Sequence, residues 1–401
     1  MSYQGHPVVD MDSHIREYED FERTFGPHMD PAYREPYERL ARAITARQGL
    51  PGEQVLFMNS RAVLAPTPPR RPLGVADIFP VDRPQPQGSA LGQDVEVDRA
   101  CNWDPAIRLA DMDTAAIDVS VLFPSQADGF CVLRDVGFER ALHRAYHRFV
   151  SDYCAAGNGR LRWVANATMR DPRATAEDLT DWCKRDANLA GLFIPRACPD
   201  GTLLDNPALY PIFACAQELD LPLFIHGGTL RPPLTPGARE LDNAGFIINA
   251  VYHAWGGMTA MAALIGGGVF DEFPRLRVGL FESGGGWMPW LVEKLDDAYT
   301  PSSAMTPKLR RKPSDVVAEG RIFCSFDPGE EYTAHAVDRL GEQIWLLGTD
   351  YPHQGSCFPE GVARIAGNAQ LSESAKLQIL GGNALRMCPR IASAFAPMAP
   401  A

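Results

Sequence analysis

Eight short apolar runs, separated by stretches with a helical pattern, constrain the fold of this 401-residue chain more than any other feature. The runs cover residues 8–12, 119–123, 161–167, 191–194, 222–226, 276–282, 322–326 and 344–348. They are nearly continuous in apolar residues, which is typical of strands buried on both faces of a parallel sheet. Strands that alternate with helices predict an α/β fold, and eight such units predict a (β/α)8 TIM barrel.

An open doubly wound sheet is the alternative arrangement of the same strands and helices. A dinucleotide-binding sheet of that kind carries Gly-x-Gly-x-x-Gly directly after its first strand. This motif does not follow residues 8–12, and Gly284-Gly285-Gly286 follows a late run without the required spacing. The sequence therefore favours the barrel.

A proline-rich stretch at residues 50–102 is the long interruption of this pattern. Its prolines are Pro51, Pro66, Pro68, Pro69, Pro72, Pro80, Pro84 and Pro86. Prolines at this density break helices and remove N–H donors that a sheet needs. The stretch has no periodic apolar pattern of its own, so we expect a single barrel domain over residues 1–401 with a long insertion after the first strand. Long loops in compact domains are usually functional, and this one is predicted to act as a lid or as an arm onto a neighbouring subunit.

The composition favours a small-molecule substrate. The formal net charge is −12 and the basic runs are short, such as Arg310-Arg311-Lys312, which argues against a nucleic-acid or anionic-membrane partner. No apolar run approaches the roughly 20 residues of a membrane span, and the N-terminal residues lack the features of a signal peptide. The nine cysteines are scattered without a Cys-x-x-Cys pair. We therefore expect a cytoplasmic protein with free thiols.

Polar residues stand where several of the predicted strands end. They are Asp12 and His14 after the first run, His226 after the fifth, Glu282 after the sixth and Asp350 after the eighth. His253 lies between the fifth and sixth runs, in a predicted loop. Active-site groups of a TIM barrel sit at the C-terminal ends of its strands. Because side chains alternate along a strand, Asp10, Asp12 and His14 are predicted to share one face.

Imidazole and carboxylate groups at one barrel mouth predict a divalent metal site. These ligands suit Zn, Mn or Fe, whereas the scattered cysteines argue against an all-thiolate zinc site. Asp12, His14, His226 and Asp350 are the predicted ligands. A metal bound in this way activates water or polarises a substrate oxygen. Asp350 is then placed to move a proton.

Five motifs together resemble the amidohydrolase superfamily. They are DMDSH at 10–14, HGG at 226–228, VFDEFPRLR at 269–277, ESGGGWMP at 282–289 and GTDYPH at 348–353. The chain is most similar to the amidohydrolase-related branch that includes aminocarboxymuconate semialdehyde decarboxylase, over nearly its whole length except about residues 50–100. The resemblance implies a metal-dependent hydrolase or non-oxidative carbon-carbon lyase acting on a small carboxylated organic substrate. It also implies that Asp12 and His14 match the family's His-x-His pair, with His226 and Asp350 completing the site.

Two departures from the family pattern leave alternatives open. Asp12 replaces the first histidine of the pair, which the branch tolerates, and Glu282 stands where the decarboxylases carry a histidine. Glu282 either accepts hydrogen bonds from the turn at 283–286, acts as an acid/base beside the metal, or bridges to a second ion with His253 as a further ligand. The last arrangement corresponds to a dinuclear Fe or Mn/Fe O2-dependent monooxygenase. One ion is favoured over two, and a non-catalytic subunit of a heteromer is a third alternative.

The remaining candidates concern nearby histidines and assembly. His143 and His147 are spaced i, i+4 on a predicted helix, but Arg144 and Arg148 beside them favour a solvated face. Glu17 and His353 lie close in sequence to the first and eighth strand ends and are candidates to join the site. We expect a homo-oligomer, with a hetero-oligomer containing a paralogue as the alternative.

Overall fold

The computed structural model describes residues 3–46, 54–58, 61–65, 99–125, 127–198, 200–226, 245–300, 309–353 and 356–395. Eight parallel strands form one sheet in chain order. They are Val9–Ile15, Val119–Pro124, Leu161–Asn166, Leu189–Pro195, Leu223–His226, Val278–Leu280, Ile322–Phe326 and Trp345–Leu347. A parallel bridge from Ser13 to Tyr351 joins the first strand to the chain that leaves the eighth. The predicted (β/α)8 barrel is therefore confirmed.

Helices lie between consecutive strands and after the eighth strand. They are Phe21–Phe25, Arg34–Ala46, Pro105–Thr114, Val136–Ala155, Pro172–Arg185, Tyr210–Glu218, Gly245–Gly266, Val269–Glu272, Met288–Ala298, Pro313–Ala318, Thr333–Leu340, Gly361–Gly367, Glu373–Leu377 and Asn383–Met387. Aspartates start several of them: Asp135 accepts a hydrogen bond from Phe138 N, and Asp171 accepts one from Ala174 N. Among the helices of these described segments, none has the length and apolar character that a membrane crossing requires.

Two apolar clusters explain why the strands are apolar on both faces. The inner cluster fills the barrel with side chains such as Val121, Phe224, Phe281 and Phe323. Residues near the C-terminus, including Met387, belong to the same cluster. The outer cluster packs the opposite faces of the strands against the helices. Each strand thus buries both sets of its alternating side chains, as parallel barrel strands do.

The predicted insertion is described only in part. Gln54–Met58 and Arg61–Ala65 form an antiparallel pair of strands, and a short 3-10 turn, Arg99–Asn102, precedes the helix Pro105–Thr114. Residues 66–98 lie outside the described residues. The role of the insertion as a lid or as a subunit arm therefore stays a prediction.

Two local predictions are corrected by the structure. His253 lies not in the predicted loop but within the helix Gly245–Gly266. A glycine pair weakens the helical pattern here, but the glycines allow close packing. A Cβ at Gly256 would overlap the Arg196 side chain, and one at Gly257 would lie 3.0 Å from Ser283 Cβ.

The histidine pair on the helix Val136–Ala155 is buried rather than solvated. Residues spaced i, i+4 share a helix face, and this face packs on the barrel, while their arginine neighbours point elsewhere. His143 Nδ1 lies 3.1 Å from Thr168 Oγ1 and its Nε2 lies 3.1 Å from Ala127 O. His147 Nε2 accepts a 2.7 Å hydrogen bond from Asn166 N. Both histidines are structural.

Candidate metal centre

A bulge in the first strand sets which acids face the barrel mouth. The pairing with the second strand shifts register between Asp10 and Ser13, so simple alternation no longer places Asp10 beside Asp12. Asp10 instead accepts hydrogen bonds from Thr349 N at 3.0 Å and Thr349 Oγ1 at 2.6 Å. The prediction that Asp10 shares a face with Asp12 and His14 is therefore wrong. Burial raises the pKa of Asp10 to about 7.

Asp12, His14 and His226 bring three donor atoms to one point at the mouth. Asp12 Oδ1 lies 3.0 Å from His226 Nε2 and 3.4 Å from His14 Nε2. The two Nε2 atoms lie 3.2 Å apart. All three side chains are buried, and together they form a group with the composition and spacing of a metal site.

Asp350 extends this group from the end of the eighth strand. Its Oδ1 lies 3.3 Å from His14 Nε2 and 2.6 Å from His353 Nδ1. The Asp350 backbone N–H donates to Asp12 O at 2.8 Å, which holds the two acids side by side. His353 Nε2 in turn lies 2.8 Å from Ser125 Oγ at the end of the second strand. His353 thus connects Asp350, after the eighth strand, to Ser125, after the second strand.

The donor set fits a single divalent cation. Ligand atoms held about 2.1 Å from a tetrahedral ion lie roughly 3.4 Å apart, close to the spacings among the donor atoms of Asp12, His14 and His226. The 3.3 Å between Asp350 Oδ1 and His14 Nε2 is similar. His14 Nδ1 lies 3.1 Å from Pro124 O, and donation there leaves the Nε2 lone pair directed at the shared point. Second partners of this kind fix the ring orientation of metal-binding histidines.

Glu282 and His253 adjoin the first set without merging with it. Glu282 Oε2 lies 3.6 Å from His226 Nδ1 and 3.4 Å from His253 Nδ1. The N–H groups of Gly285 and Gly286, in the turn that follows, donate to Glu330. Glu330, rather than Glu282, is thus the acceptor for these two donors.

Opposing charges set the protonation of the site in the absence of a cation. Burial alone would raise the pKa of Asp12, but His226 and His14 lower it below the ordinary value. Burial and the charge of Glu282 raise the pKa of Asp350 well above its ordinary value. Burial would likewise raise the pKa of Glu282, but His253 and His226 lower it. One acid of the mouth thus favours the proton while the other two favour the carboxylate.

Comparison with known proteins places this site in a family. A family model described as amidohydrolase matches residues 12–390. The chain belongs to the amidohydrolase family. It is 25% identical over 293 residues to 2-amino-3-carboxymuconate-6-semialdehyde decarboxylase of Dictyostelium discoideum, covering 72% of this chain and 77% of that protein. It is 26% identical over 293 residues to gamma-resorcylate decarboxylase of Polaromonas sp., covering 70% and 85%.

Solved amidohydrolase structures share the fold. The amidohydrolase map2389c from Mycobacterium avium subsp. paratuberculosis aligns with a TM-score of 0.66 at 19% identity, over 96% of this chain and 99% of that chain. A 5-carboxyvanillate decarboxylase from Novosphingobium aromaticivorans, in complex with manganese, aligns with a TM-score of 0.61 at 18% identity, over 96% of each chain. This chain is thus an amidohydrolase-family enzyme, and the identities to these structures are low enough that they establish the fold alone.

Sequence reasoning missed several residues of this amidohydrolase that surround the ligands. Arg196, after the fourth strand, is buried and donates to Glu282 O at 2.8 Å. Asp327 follows the seventh strand. It could have been found from the sequence, because active-site groups of a TIM barrel sit at the C-terminal ends of its strands. Asp327 keeps contact with solvent, yet burial by the surrounding protein and the charges of Glu330 and Asp350 raise its pKa to about 7. Glu17, a candidate from the sequence, instead accepts a 2.8 Å hydrogen bond from Ser125 N.

Proposed function

We propose that this amidohydrolase is a metal-dependent carboxy-lyase that removes CO2 without oxidation from a small aromatic carboxylate. The observation that carries the proposal is the convergence of Asp12, His14 and His226 at the barrel mouth, with Asp350 Oδ1 at 3.3 Å from His14 Nε2. The relatives named above are decarboxylases, which favours a lyase over a hydrolase. One Zn, Mn or Fe ion is proposed, and the manganese of a related structure supports a divalent ion of this type.

The chain's own residues divide the work of the proposed reaction. Asp12, His14, His226 and Asp350 would hold the metal, and a divalent ion bound there would supply Lewis-acid polarisation of substrate oxygens. Asp350, whose Oδ1 lies 2.6 Å from His353 Nδ1, would give a proton to the carbon that bears the carboxylate. The bond to the carboxylate then breaks, its electron pair returns to the ring, and CO2 leaves. Glu282 orients His226 and, with His253, forms an acid/base pair beside the ligands.

A dinuclear oxygenase is the second candidate, and the position of Glu282 favours it. Glu282 Oε2 lies 3.6 Å from one nitrogen of His226 and 3.4 Å from one of His253, so two further ligands for a second ion adjoin the first set. Such a centre, with Fe or Mn/Fe, is expected to need O2. The third alternative, a non-catalytic subunit, predicts a depleted ligand set, whereas both carboxylates and both imidazoles are present here.

Anaerobic turnover separates these candidates. The protein, reconstituted with Mn²⁺, is incubated under argon with 2,6-dihydroxybenzoate and 5-carboxyvanillate, and released CO2 is measured. We expect CO2 release without O2 and its loss in Asp350→Asn. Turnover that requires O2 and a reductant, with two ions per chain by elemental analysis, would replace the lyase with the oxygenase. Hydrolysis of an ester or amide without CO2 release would replace it with the hydrolase.

The proposal includes the location and the oligomeric state of the protein. We expect a cytoplasmic homo-oligomer in which residues 50–102 contact a neighbouring subunit, with a paralogue as the alternative partner. Light scattering on the full chain, and on a chain that lacks residues 66–98, measures the mass of each. A monomeric full chain would contradict the proposed assembly.

A further inference from the structure

One buried amide inside the barrel lacks the partners that such a group normally has. Asn166 is the last residue of the third strand, and its exposed fraction is 5%. Neither its Nδ2 nor its Oδ1 has a hydrogen-bond partner among the described residues. Its backbone N–H donates to His147 Nε2 at 2.7 Å, so the end of this strand is firmly held. Buried polar side chains in folded proteins are nearly always hydrogen-bonded, and an exception requires a reason.

The register of the third strand directs Asn166 into the barrel. Trp163 and Ala165 belong to the outer cluster, whereas Val164 belongs to the inner cluster. The pairing with the fourth strand runs without a shift from Val164 to Asn166. Because side chains alternate along a strand, Asn166 points inward as Val164 does. It lies at the C-terminal end of the strand, where barrels place their ligand sites.

A buried aromatic residue links Asn166 to the candidate metal ligands. Asn166 is paired in register with Phe193 of the fourth strand. The Phe193 ring lies 6.0 Å from the ring of His226, between centroids, and 6.0 Å from that of Phe123. Phe123 lies 4.5 Å from the same histidine ring. Phe193 therefore lies between Asn166 and the candidate metal ligands.

We propose that Asn166 is a specificity-determining residue that binds a hydroxyl group on the ring of the aromatic substrate. An amide presents a donor and an acceptor side by side, and a ring hydroxyl is both an acceptor and a donor. Phe193 is paired in register with Asn166 and its ring adjoins that of His226, so an aromatic ring bound at the candidate metal ligands would extend toward Asn166. This inference rests on the proposed function, because it takes the ligand to be an aromatic carboxylate bound at the same mouth.

Replacement of the amide by a side chain of similar size tests the proposal. Asn166→Leu removes both polar atoms and keeps the volume. Binding of 2,6-dihydroxybenzoate and of benzoate to Mn²⁺-loaded protein is measured by calorimetry. We expect the wild-type protein to prefer the dihydroxylated ligand, and the variant to lose about tenfold of that preference, the value of one or two hydrogen bonds. Asn166→Asp, which keeps only acceptors, should lose a similar factor.

Asn383 provides a matched control because it is a buried asparagine with its donors in use. Its Nδ2 donates to Glu342 O and Trp345 O, both at 2.8 Å. Asn383→Leu should lower Tm by about 2–4 °C and leave the ligand preference unchanged. Asn166→Leu should leave Tm and metal content unchanged or raise Tm, because it removes no hydrogen bond.

The outcomes separate this inference from the proposed function. An unchanged preference in Asn166→Leu, or no preference in the wild-type protein, overturns the role of Asn166 whether or not the protein releases CO2. A lost preference in a protein that shows no decarboxylation supports Asn166 and rejects the lyase. A fall of Tm in Asn166→Leu equal to that in Asn383→Leu would show that the amide has a structural partner and would also overturn the inference.

Discussion

At the scale of single residues, metal binding at the candidate centre depends on a small set of donor atoms. Asp12, His14 and His226 direct their atoms at one point, and the two Nε2 atoms approach to 3.2 Å. We predict that His14→Ala, His226→Ala and Asp350→Asn each weaken metal binding by at least the roughly 10–100-fold expected for an outer partner. Elemental analysis and metal titration measure this. The exposed His335→Ala serves as the control, and equal metal content in all of these variants would reject the site.

His353 is the outer partner that holds Asp350. Its Nδ1 lies 2.6 Å from Asp350 Oδ1, and its ring lies 4.1 Å from that of His14, between centroids. His353→Phe keeps the ring and removes the hydrogen bond, so metal affinity should fall by about 10–100-fold. Ser125→Ala, which leaves the contact with Asp350 intact, should cost much less in the same titration. Equal losses of metal affinity in the two variants would mean that the hydrogen bond between His353 and Asp350 does not support metal binding.

His143 makes the stability of the fold depend on pH. Burial lowers its pKa from 6.5 to about 4, so the unfolded chain binds this proton more readily than the folded one. The stabilising contribution is present above pH 6.5 and is lost as the pH falls toward 4, in total about 3 kcal/mol. Urea unfolding at pH 7 and pH 4.5 should show a smaller loss in His143→Gln than in the wild-type protein. The same loss in both proteins would contradict the assignment.

At the scale of elements, a glycine after the eighth strand allows the first strand to approach closely. Gly348 follows this strand, and a Cβ there would lie 2.9 Å from Asp12 Cβ and 3.2 Å from Ser325 Cβ. Gly348→Ala should therefore displace Asp12, lower the free energy of unfolding by about 1–3 kcal/mol and weaken metal binding. Gly367→Ala is the control, because a Cβ there meets nothing within 4 Å. Chemical denaturation of both variants, with metal titration, makes the comparison.

The strands were predictable because their apolar character is a local property of the sequence. The run at 322–326 and the strand Ile322–Phe326 coincide, since both faces of that strand are buried. The bulge that turns Asp10 toward Thr349 was not predictable, because it depends on pairing with residues more than a hundred positions away. The start of the helix Gly245–Gly266 was missed for a similar reason, because only the packed structure shows why it carries two glycines.

The site residues likewise divide into those that the sequence could predict and those that only the folded structure shows. His226 and Asp350 were predicted because the barrel places the ends of its strands together. Asn166 follows the same rule, but its significance depends on the partners it lacks, and no sequence pattern shows that. Glu282 was visible in the sequence as an acid at the end of the sixth run, whereas its position between His226 and His253 required the fold.

At the scale of the whole molecule, the candidate ligands come from opposite sides of the barrel. His226 ends the fifth strand, whereas Asp12 and Asp350 belong to the first strand and to the chain that leaves the eighth. A bound ion would therefore cross-link parts of the barrel that do not pair with each other, and would bind only the folded state. At a free ion concentration of 100 Kd this stabilises the fold by about 2.7 kcal/mol, which for a chain of this length raises Tm by about 3 °C. Calorimetry with Mn²⁺ and with a chelator measures the shift, which should vanish in His226→Ala; an equal shift in that variant would place the ion elsewhere on the molecule.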